Sequence, residues 1–579
     1  MRKSIIPISF TILIFLLTSL CACMLANDDS HALTKEQWSQ DLDFVVKTLK
    51  NRHPNLYYRV SELEFQNEVK ITKEKIVKAE SYEASAVAII QLVSFIEDGH
   101  TSLSLNGCRQ LNRYFPIRFY KFADGIFITA IGREKANYIG SKVIKIGNVS
   151  AEQAFNSCMS LVSADNKFRR AHFASAFLSN GGALYGLDIL DSPRTLIVQL
   201  IEKSGSKKEI RLKALGPNYD LRWRNNLTKG PGDVDYVSPF SEKEASIPLH
   251  LLRLNLNYWF TFLKKEKAVY MQFNVVVEQE QESFEEFRNR MWKEVDAHAD
   301  SIEYFILDLR YNPGGNGLMV IPFLNEIIKR NFINRKGHFY TLIGRATNSA
   351  AVLFMAELAM HTQTLFVGEP SGAAFNMFSD ARLAGKLPNI GLNFNIATEY
   401  FNLSWPANKN YTVIPHYPAP FSADDFFTGN DPALEAILSG KIKTVEAVLN
   451  EQDPMAAMKH FEKLNYKWDY YPDEWGVFPF ESLASPKYKE GEINNLGYSL
   501  MQNGKLDDAI TAFELNCRLF PQSFNTWDSL AEGYMNKGEN ELAIKYYRKS
   551  LELNGGNLNA KEMLDKLEKN SKFQKAKSK

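Results

Sequence analysis

One serine, Ser349, lies where a buried strand is expected to end and a helix to begin, within the segment Arg345 to Ala351. The N-terminus of a helix offers unpaired backbone N–H groups and the positive end of the helix dipole, and both favour negative charge. That environment suits a nucleophile whose attack creates an oxyanion. A serine that only caps the helix would have the same local sequence. A serine at the start of a helix is more often a cap than a nucleophile, because serine caps are common, so Ser349 taken alone favours the capping role.

Two adjacent glycines follow another expected strand, in the segment Asp308 to Gly315. Because Gly314 and Gly315 have no side chain, the backbone N–H groups there can approach a ligand closely. Preorganised N–H groups of this kind form the oxyanion hole in acyl transfer. The alternative is a plain turn between a strand and a helix.

A histidine supplies a third chemical group, His100, in the segment Asp98-Gly99-His100-Thr101. A serine hydroxyl is a weak nucleophile until a neighbouring base takes its proton. A neutral imidazole titrates near pH 6.5 and can act as that base. A lone histidine is usually structural, and the other nine of the ten histidines are scattered along the chain.

The elements that must position these groups alternate between strand and helix over residues 245–440. Continuous apolar runs predict strands over 304–309, 339–343 and 365–367, and a helix is predicted over 350–360. Buried strands that alternate with helices indicate a parallel α/β core.

Two further regions precede this core. Residues 33–105 are predicted to be helical, because Thr34 and Gln37 form a capping-box pattern and apolar residues then recur at helical spacing. Residues 113–215 contain short β-type runs separated by turn residues, and glycine- and proline-containing linkers follow them.

The C-terminal region contains a repeat. Six positions have counterparts 34 residues later. Leu496, Gly504, Ala509, Phe513, Leu519 and Pro521 are followed by Leu530, Gly538, Ala543, Tyr547, Leu553 and Gly555. A small residue where two helices cross and a glycine in the turn match the tetratricopeptide pattern. Two repeats and a capping helix are therefore predicted within residues 490–570. Because such repeats usually need about three units for stability, we expect them to pack on a neighbour such as the aromatic-rich stretch 465–480.

Four segments occur in a fixed order along residues 33–440, and they are Asp98 to Thr101, Asp308 to Gly315, Thr347 to Ala350 and Val367 to Gly372. Together they resemble the motifs of the tail-specific, or C-terminal processing, serine protease family. That family shows a D-G/P-H-T/S motif, a strand ending in D-L-R-x-N-x-G-G, a strand followed by T-x-S-A, and then V-G-E-x-T/S-G. The segment Asn430 to Glu435 is similar to an N/K-D-P-x-L-E ending in one bacterial branch.

The resemblance implies a multidomain α/β fold. Its parts would be a helical N-terminal domain over 33–105, a PDZ-like β domain over 113–215 and a crotonase-like ββα catalytic core over 245–440. The α-helical tetratricopeptide repeats over 490–570 would follow as an addition to this plan.

The resemblance also implies roles for individual residues. Ser349 would be the nucleophile of a serine-type peptidase, which cleaves peptide bonds through an acyl-enzyme. The N–H groups of Ala350 and of Gly314 or Gly315 would form the oxyanion hole. One branch of the family takes a lysine as its base, but the matching position here is Ala374.

The base implied instead is His100, as in the tricorn-like branch. Those relatives orient the histidine with a further serine and a glutamate. Residue 99 is glycine, so the serine is absent, and Glu399 is the candidate orienting carboxylate because of its place on the strand after Pro388. Relatives such as the interphotoreceptor retinoid-binding protein keep the core and bind ligands. The chain is therefore a serine peptidase or, alternatively, a catalytically silent protein that binds peptides or a small ligand.

The first residues predict export. Two basic residues precede an apolar run from Ile5 to Leu17, which is the pattern of a signal peptide and too short for a comfortable membrane span. The segment Leu20 to Cys23 resembles a bacterial lipobox, in which the cysteine is lipidated and becomes the mature N-terminus. Residues 1–23 are thus predicted to be a lipoprotein signal, with an ordinary cleaved signal as the alternative. The expected location is the cell envelope, anchored to a membrane through Cys23.

The composition limits which classes of partner and cofactor are expected for this chain. The 68 Lys and Arg residues balance 67 Asp and Glu residues, so the formal net charge of +1 gives no reason to expect nucleic acid. Cys108, Cys158 and Cys517 are far apart, so neither a disulfide framework nor a metal site is expected. No cofactor is predicted. The expected partners are a peptide or protein substrate, a protein bound by the repeats, and a lipid membrane.

Overall fold

The computed structural model describes residues 33–105, 108, 110–215, 236–240, 247–335, 337–403, 411–440, 442 and 490–577. Over these ranges the chain is a mixed α/β protein with several hydrophobic cores and a C-terminal run of helices. In this described part, no helix is both long and apolar enough to cross a bilayer.

Three helices and a short strand open the described chain. They are α1 (Lys35–Arg52), α2 (Glu62–Lys78), α3 (Tyr82–Phe95) and β1 (Ser102–Ser104). The predicted capping box is confirmed, because the Thr34 side chain accepts from the N–H of Gln37 and the Gln37 side chain accepts from the N–H of Thr34. Helix α1 ends two residues before Pro54, which disfavours helical backbone at the residue before it.

The next region is an antiparallel sheet with helices on one face. Its strands are β2 (Ile117–Phe122), β3 (Gly125–Gly132), β4 (Lys142–Ile146), β5 (Val149–Ser150), β6 (Thr195–Ile201), β7 (Lys207–Lys213) and β8 (Tyr236–Val237). Its helices are α4 (Ala151–Met159), α5 (Lys167–Phe177) and α6 (Gly181–Gly186). The main strand order is β2-β3-β4-β6-β7, with β5 beside β4 and β8 beside β3. Strand β6 alternates buried and half-buried residues, so one face of the sheet covers the core.

Between residue 247 and the C-terminal run, the described residues form ten further strands and five further helices. The strands are β9 (Tyr258–Leu263), β10 (Ala268–Phe273), β11 (Tyr304–Asp308), β12 (Phe339–Ile343), β13 (Leu365–Gly368), β14 (Asn376–Ser379), β15 (Arg382–Lys386), β16 (Asn393–Ile396), β17 (Glu399–Asn402) and β18 (Tyr417–Pro418). The helices are α7 (Phe284–Ala297), α8 (Val320–Ile328), α9 (Ala350–His361), α10 (Ala423–Thr428) and α11 (Pro432–Leu438).

Six of these strands form the central sheet, in the order β18-β13-β12-β11-β10-β9. Neighbours from β10 to β18 run parallel, and β9 is antiparallel to β10. Val269 and Phe305 on one face pack into the core that α7, α8 and α9 share, while Tyr270 and Ile306 on the other face pack against α11. The sheet is buried on both faces, which confirms the predicted parallel α/β core.

A small three-stranded sheet, in the order β1-β16-β15, joins the N-terminal helical region to the second half of the chain. Strand β16 pairs antiparallel with β1 on one side and with β15 on the other. Leu392, Phe394 and Ile396 enter the same core as the helices α1 to α3. In addition, the Asp41 carboxylate in α1 accepts hydrogen bonds from the backbone N–H groups of Asn389 and Ile390 at 2.9 and 2.8 Å. The hairpin from β15 to β16 therefore completes the N-terminal helical region.

The C-terminal helices are α12 (Glu490–Gln502), α13 (Leu506–Leu519), α14 (Phe524–Lys537), α15 (Asn540–Leu553) and α16 (Leu558–Lys577). The repeat positions behave as predicted: Ala509 and Ala543 are fully buried, and Gly504 and Gly538 have φ angles of 73° and 82° in the turns. Only glycine adopts such angles without steric cost. These helices share one core. The predicted neighbour at 465–480 and the predicted signal at 1–23 lie outside the described residues, and the predicted domain boundaries stay predictions.

Candidate active site

Ser349 has a strained backbone and does not cap its helix. Its φ and ψ angles are 50° and −126°, and its side chain makes no capping hydrogen bond to α9. A positive φ is uncommon outside glycine, and such strain costs about 1–3 kcal/mol and is concentrated at functional sites. The structure therefore removes the capping role that the local sequence left open.

Hydrogen bonds to the end of the neighbouring strand hold the serine turn in place. The Thr347 hydroxyl donates to the carbonyl oxygen of Leu309 at 2.8 Å and accepts from the N–H of Gly344 at 3.0 Å. The N–H of Asn348 donates to the carbonyl oxygen of Asn312 at 3.0 Å. These bonds attach the turn before α9 to the segment that follows β11.

Gly314 lies directly against the serine. A side chain built at Gly314 would place its Cβ 2.6 Å from Cβ of Ser349 and 2.8 Å from the backbone nitrogen of Ala350. Its φ angle of 106° also favours glycine. Only a glycine lets these two chain segments approach so closely.

The two glycines differ in what their N–H groups do. The N–H of Gly314 donates to Oδ1 of Asn312 at 2.9 Å. The N–H of Gly315 has no hydrogen-bond partner among the described residues, and neither has the N–H of Ala350 at the start of α9. The structure thus brings all three predicted oxyanion residues together, and the two with available N–H groups are Gly315 and Ala350.

Ser349 lines a cavity of about 560 Å³ that also includes His100. The other walls come from both the antiparallel sheet region and the central sheet region, and they include Tyr120, Phe173 and Tyr311. His172 in this wall has its pKa lowered to about 4, first by burial and then by the charge of Arg345. The cavity is large enough for part of a peptide chain.

The position of His100 is fixed by the turn between α3 and β1. The N–H of His100 donates to Oδ1 of Asp98 at 2.8 Å. The Thr101 hydroxyl accepts from the N–H of Ala397 at 3.0 Å, just beyond the β1–β16 pairing. The histidine is therefore held by contacts with both its own turn and the hairpin that carries β16.

The surroundings of His100 favour the neutral form of its imidazole. Burial lowers its pKa, and so does the positive charge of Arg169, while the carboxylates of Asp165 and Asp98 and a hydrogen bond with the backbone of Phe378 oppose the shift. Nε2 lies 3.5 Å from the hydroxyl oxygen of Ser379. No hydrogen bond joins His100 to Ser349 within the described residues, although both line the same cavity.

A buried pair that the sequence did not reveal supports the histidine turn. Nε2 of His53 lies 3.0 Å from Oδ2 of Asp98, and both side chains are almost fully buried. Burial raises the pKa of Asp98, but the His53 hydrogen bond and the His100 charge outweigh it, so the net pKa is lowered. His53 comes from the end of α1, far from the motif, and no local signal points to it.

The predicted orienting residue, Glu399, is exposed. It lies opposite Ser379 in the β14–β17 pairing, and no hydrogen bond links it to His100 among the described residues. Ser379 itself was missed by the sequence analysis, which considered only residue 99 for a serine near the histidine. Ala374 is buried and supplies no base.

A buried ion network forms part of the cavity wall, because Arg310 and His250 both line the cavity. Arg310 donates to Asp308 and to Asp431, with Nη2 at 2.6 and 2.7 Å from their Oδ2 atoms. Oδ2 of Asp431 also lies 3.3 Å from Nδ1 of His250. Burial would raise the pKa of Asp431, but the charges of Arg310 and His250 hold it well below its usual range. The network ties the end of β11 to the start of α11, where Asp431 accepts from the N–H of Leu434.

A tetratricopeptide-repeat family model matches residues 525–557. None of the curated proteins has a sequence that matches this chain. Within the described residues, no group of three or more His, Cys, Asp or Glu side chains is arranged to hold a metal ion.

Several solved structures align with a large part of this chain at low sequence identity. Mature CPAF complexed with lactacystin is 14% identical, with 73% of this chain and 100% of that chain covered and a TM-score of 0.48. The photosystem II D1 C-terminal processing protease is 11% identical, with 70% and 97% covered and a TM-score of 0.30. The tricorn protease is 11% identical, with 70% of this chain and 36% of that chain covered and a TM-score of 0.29.

The uncapped conformation of Ser349 predicts that substituting this residue hardly changes the free energy of unfolding. Ser349→Ala should change the free energy of unfolding by less than about 0.5 kcal/mol, because no capping bond is lost. The control is Ser283→Ala, since Ser283 caps α7 through a capping box and its loss should cost about 1 kcal/mol. Urea unfolding of both variants measures this. Equal losses would show that Ser349 caps α9 in solution.

The buried network predicts a second stability difference. Asp431→Asn should lower the free energy of unfolding by about 3 kcal/mol or more, because it leaves the buried Arg310 charge under-compensated. Asp296→Asn is the matched control, since Asp296 pairs with Arg330 at 2.7 Å but is half exposed, and such a pair is worth at most about 1 kcal/mol. Denaturant unfolding of the two variants should separate them. A small loss for Asp431→Asn would mean that the network does not anchor the site.

Proposed function

We propose that this protein is a serine-type peptidase with Ser349 as its nucleophile and His100 as its base. The observation that carries the proposal is the conformation of Ser349, which is strained, uncapped and open to a cavity that His100 also lines. Strain of this kind is retained where the surrounding structure enforces it for function. The available N–H groups of Gly315 and Ala350 beside the serine supply the matching electrostatic element.

The proposed reaction begins when a peptide carbonyl carbon lies against the hydroxyl of Ser349. His100 takes the hydroxyl proton as the serine oxygen bonds to that carbon. The N–H groups of Gly315 and Ala350 stabilise the negative charge on the carbonyl oxygen. His100 then gives the proton to the leaving amine, and water releases the acyl group from Ser349 by the same steps.

The finer assignments belong to the same proposal. The region of β2 to β8 is the PDZ-like domain, the central sheet region is the crotonase-like core, and the family is that of the tail-specific proteases in their histidine-based branch. The substrate is a peptide or protein. The C-terminal helices bind a protein partner, because stacked helix pairs of this type present a concave surface.

A second candidate function has one observation in its favour. Nε2 of His100 is near Ser379 instead of Ser349, and no hydrogen bond joins the proposed base to the proposed nucleophile within the described residues. Catalytic hydrogen bonds are often long without substrate, so this does not exclude the peptidase. It does favour, as the alternative, a catalytically silent protein that binds peptides or a small ligand in the same cavity.

An activity-based probe separates the two functions. A fluorophosphonate should label the wild-type protein at Ser349, and Ser349→Ala should abolish the label. His100→Ala should slow labelling by about 10²- to 10⁴-fold, because the base is lost. Gel fluorescence and mass spectrometry of the labelled peptide measure both effects.

The control for this experiment is Ser283→Ala, which should label like the wild type because Ser283 only caps α7. Circular dichroism establishes that each variant is folded. A folded wild-type protein that no fluorophosphonate labels would contradict the peptidase and leave the binding protein as the function.

Export is also part of the proposal. The motif around Cys23 supports a lipid-anchored protein of the cell envelope. Cys23→Ser should abolish incorporation of a labelled fatty acid and release the protein from the membrane fraction. Cys21→Ser is the control, because it leaves the lipobox cysteine in place and should keep the label. A protein that stays labelled and membrane-bound as Cys23→Ser would rule out this anchor.

A further inference from the structure

Two buried polar atoms near the proposed base have no hydrogen-bond partner. They are Nδ1 of His100 and Oδ2 of Asp165. Buried polar atoms without partners are rare in folded proteins, and each one calls for an explanation. These two are complementary, because an imidazole nitrogen can carry a proton and a carboxylate oxygen can accept one.

Asp165 reaches the histidine from the antiparallel sheet region, just before α5. Its side chain is 2% exposed, and Oδ1 lies 4.0 Å from a guanidinium nitrogen of Arg59. Oδ1 also accepts the N–H of Gly99 at 3.3 Å. A Cβ built on Gly99 would lie 2.7 Å from Oδ2. The unpartnered oxygen therefore fills the space beside the residue that precedes His100.

Other carboxylates near His100 are already engaged or exposed. Asp98 uses Oδ1 for the N–H of His100 and Oδ2 for His53. Asp380 is half exposed and pairs with Arg382 at 2.8 Å. Glu399 is exposed. Of the four carboxylates Asp98, Asp165, Asp380 and Glu399, only that of Asp165 is both buried and left with an unpartnered oxygen.

We propose that Asp165 is the positioning carboxylate of His100, and that its Oδ2 accepts the proton carried on Nδ1. The purpose of this pair rests on the proposed peptidase function. With the proton held on Nδ1, Nε2 is the nitrogen that is free to take the proton of Ser349. The two atoms form no hydrogen bond in this structure, so a side-chain movement must close the contact, as is common for catalytic hydrogen bonds when substrate binds.

The proton balance of the step is simple. The Ser349 hydroxyl proton moves to Nε2 while the serine oxygen bonds to the substrate carbonyl carbon. His100 then carries protons on both nitrogens and one positive charge, which the Asp165 carboxylate stabilises without taking a proton. Nε2 returns its proton to the leaving amine, and His100 is neutral again.

The charges around the pair set the direction of its pH dependence. Besides Asp98 and Asp165, His100 is faced by Arg169 from α5 and by Asp380 after β14, and Arg59 faces Asp165. Burial and Arg169 lower the pKa of His100, and the Asp165 charge opposes them. Burial raises the pKa of Asp165, and the charges of Arg59 and His100 oppose that shift. Removing the Asp165 charge must therefore lower the pKa of His100 further.

The experiment compares the wild type with Asp165→Asn in two measurements. In ¹⁵N-histidine-labelled protein, with the His100 signals identified by their loss in His100→Gln, the wild type should carry its proton on Nδ1. Asp165→Asn should permit the opposite tautomer, because an amide can also donate, and should lower the His100 pKa by about one pH unit. The rate of fluorophosphonate labelling should fall about 10²- to 10⁴-fold, with its acidic limb moved to lower pH.

Two further variants keep the outcome interpretable. Asp191→Asn removes an exposed carboxylate of the same region, which accepts from Asn148 at 2.8 Å, and should change neither measurement. Gly99→Ala pushes the Asp165 carboxylate aside without removing it, and the fold should tolerate it because the obstructing atom ends a flexible side chain. It should shift the tautomer and the pKa in the same direction as Asp165→Asn.

The outcomes distinguish this proposal from the proposed function. A wild-type protein that is not labelled but shows the Nδ1 tautomer and its dependence on Asp165 would support the pair and contradict the peptidase. A labelled wild type whose His100 tautomer and pKa are unchanged in Asp165→Asn and Gly99→Ala would overturn the pair and leave the peptidase standing. A shift caused by Glu399→Gln instead would assign the positioning role to Glu399.

Discussion

The buried charge of Arg310 is the constraint on which the site depends. An uncompensated charge in a protein interior is very costly, so Arg310 must keep both Asp308 and Asp431 beside it. That requirement fixes the end of β11 against the start of α11. The chain leaves β11 at this fixed point and reaches Asn312, whose carbonyl oxygen and side chain hold the serine turn and the glycine pair. The geometry around Ser349 thus depends on an ion network whose members Arg310 and His250 also line the cavity.

Much of the framework could be predicted from the sequence, because its signals are local. Apolar runs gave the strands of the central sheet at 339–343 and 365–368, and the capping box gave the start of α1. The choice between cap and nucleophile for Ser349 could not be made in this way. It depends on a backbone angle of 50°. That angle occurs beside hydrogen bonds that Thr347 and Asn348 donate to the carbonyl oxygens of Leu309 and Asn312, which follow β11. The same holds for the glycine pair, where an asparagine side chain decides which N–H group is available.

The residues that surround His100 could not be predicted from sequence patterns. His53, Asp165 and Ser379 come from three different regions, and none lies in a recognisable motif, because only the folded chain brings them together. Glu399 was expected from its place on a strand, yet strand position does not determine whether a side chain is buried. The hairpin from β15 to β16 was likewise assigned to the core by its place in the chain. It packs with the N-terminal helices, because its apolar residues share one buried core with them.

The pairing of β1 with β16 also determines when, during synthesis, the histidine turn can gain its partner strand. During synthesis, the turn that carries His100 leaves the ribosome early, whereas its partner strand β16 emerges only after the segment that carries Ser349. An incomplete chain that ends before residue 396 lacks the strand that holds the histidine turn. The histidine turn therefore gains its partner strand only after residue 396 of the 579 residues has been added.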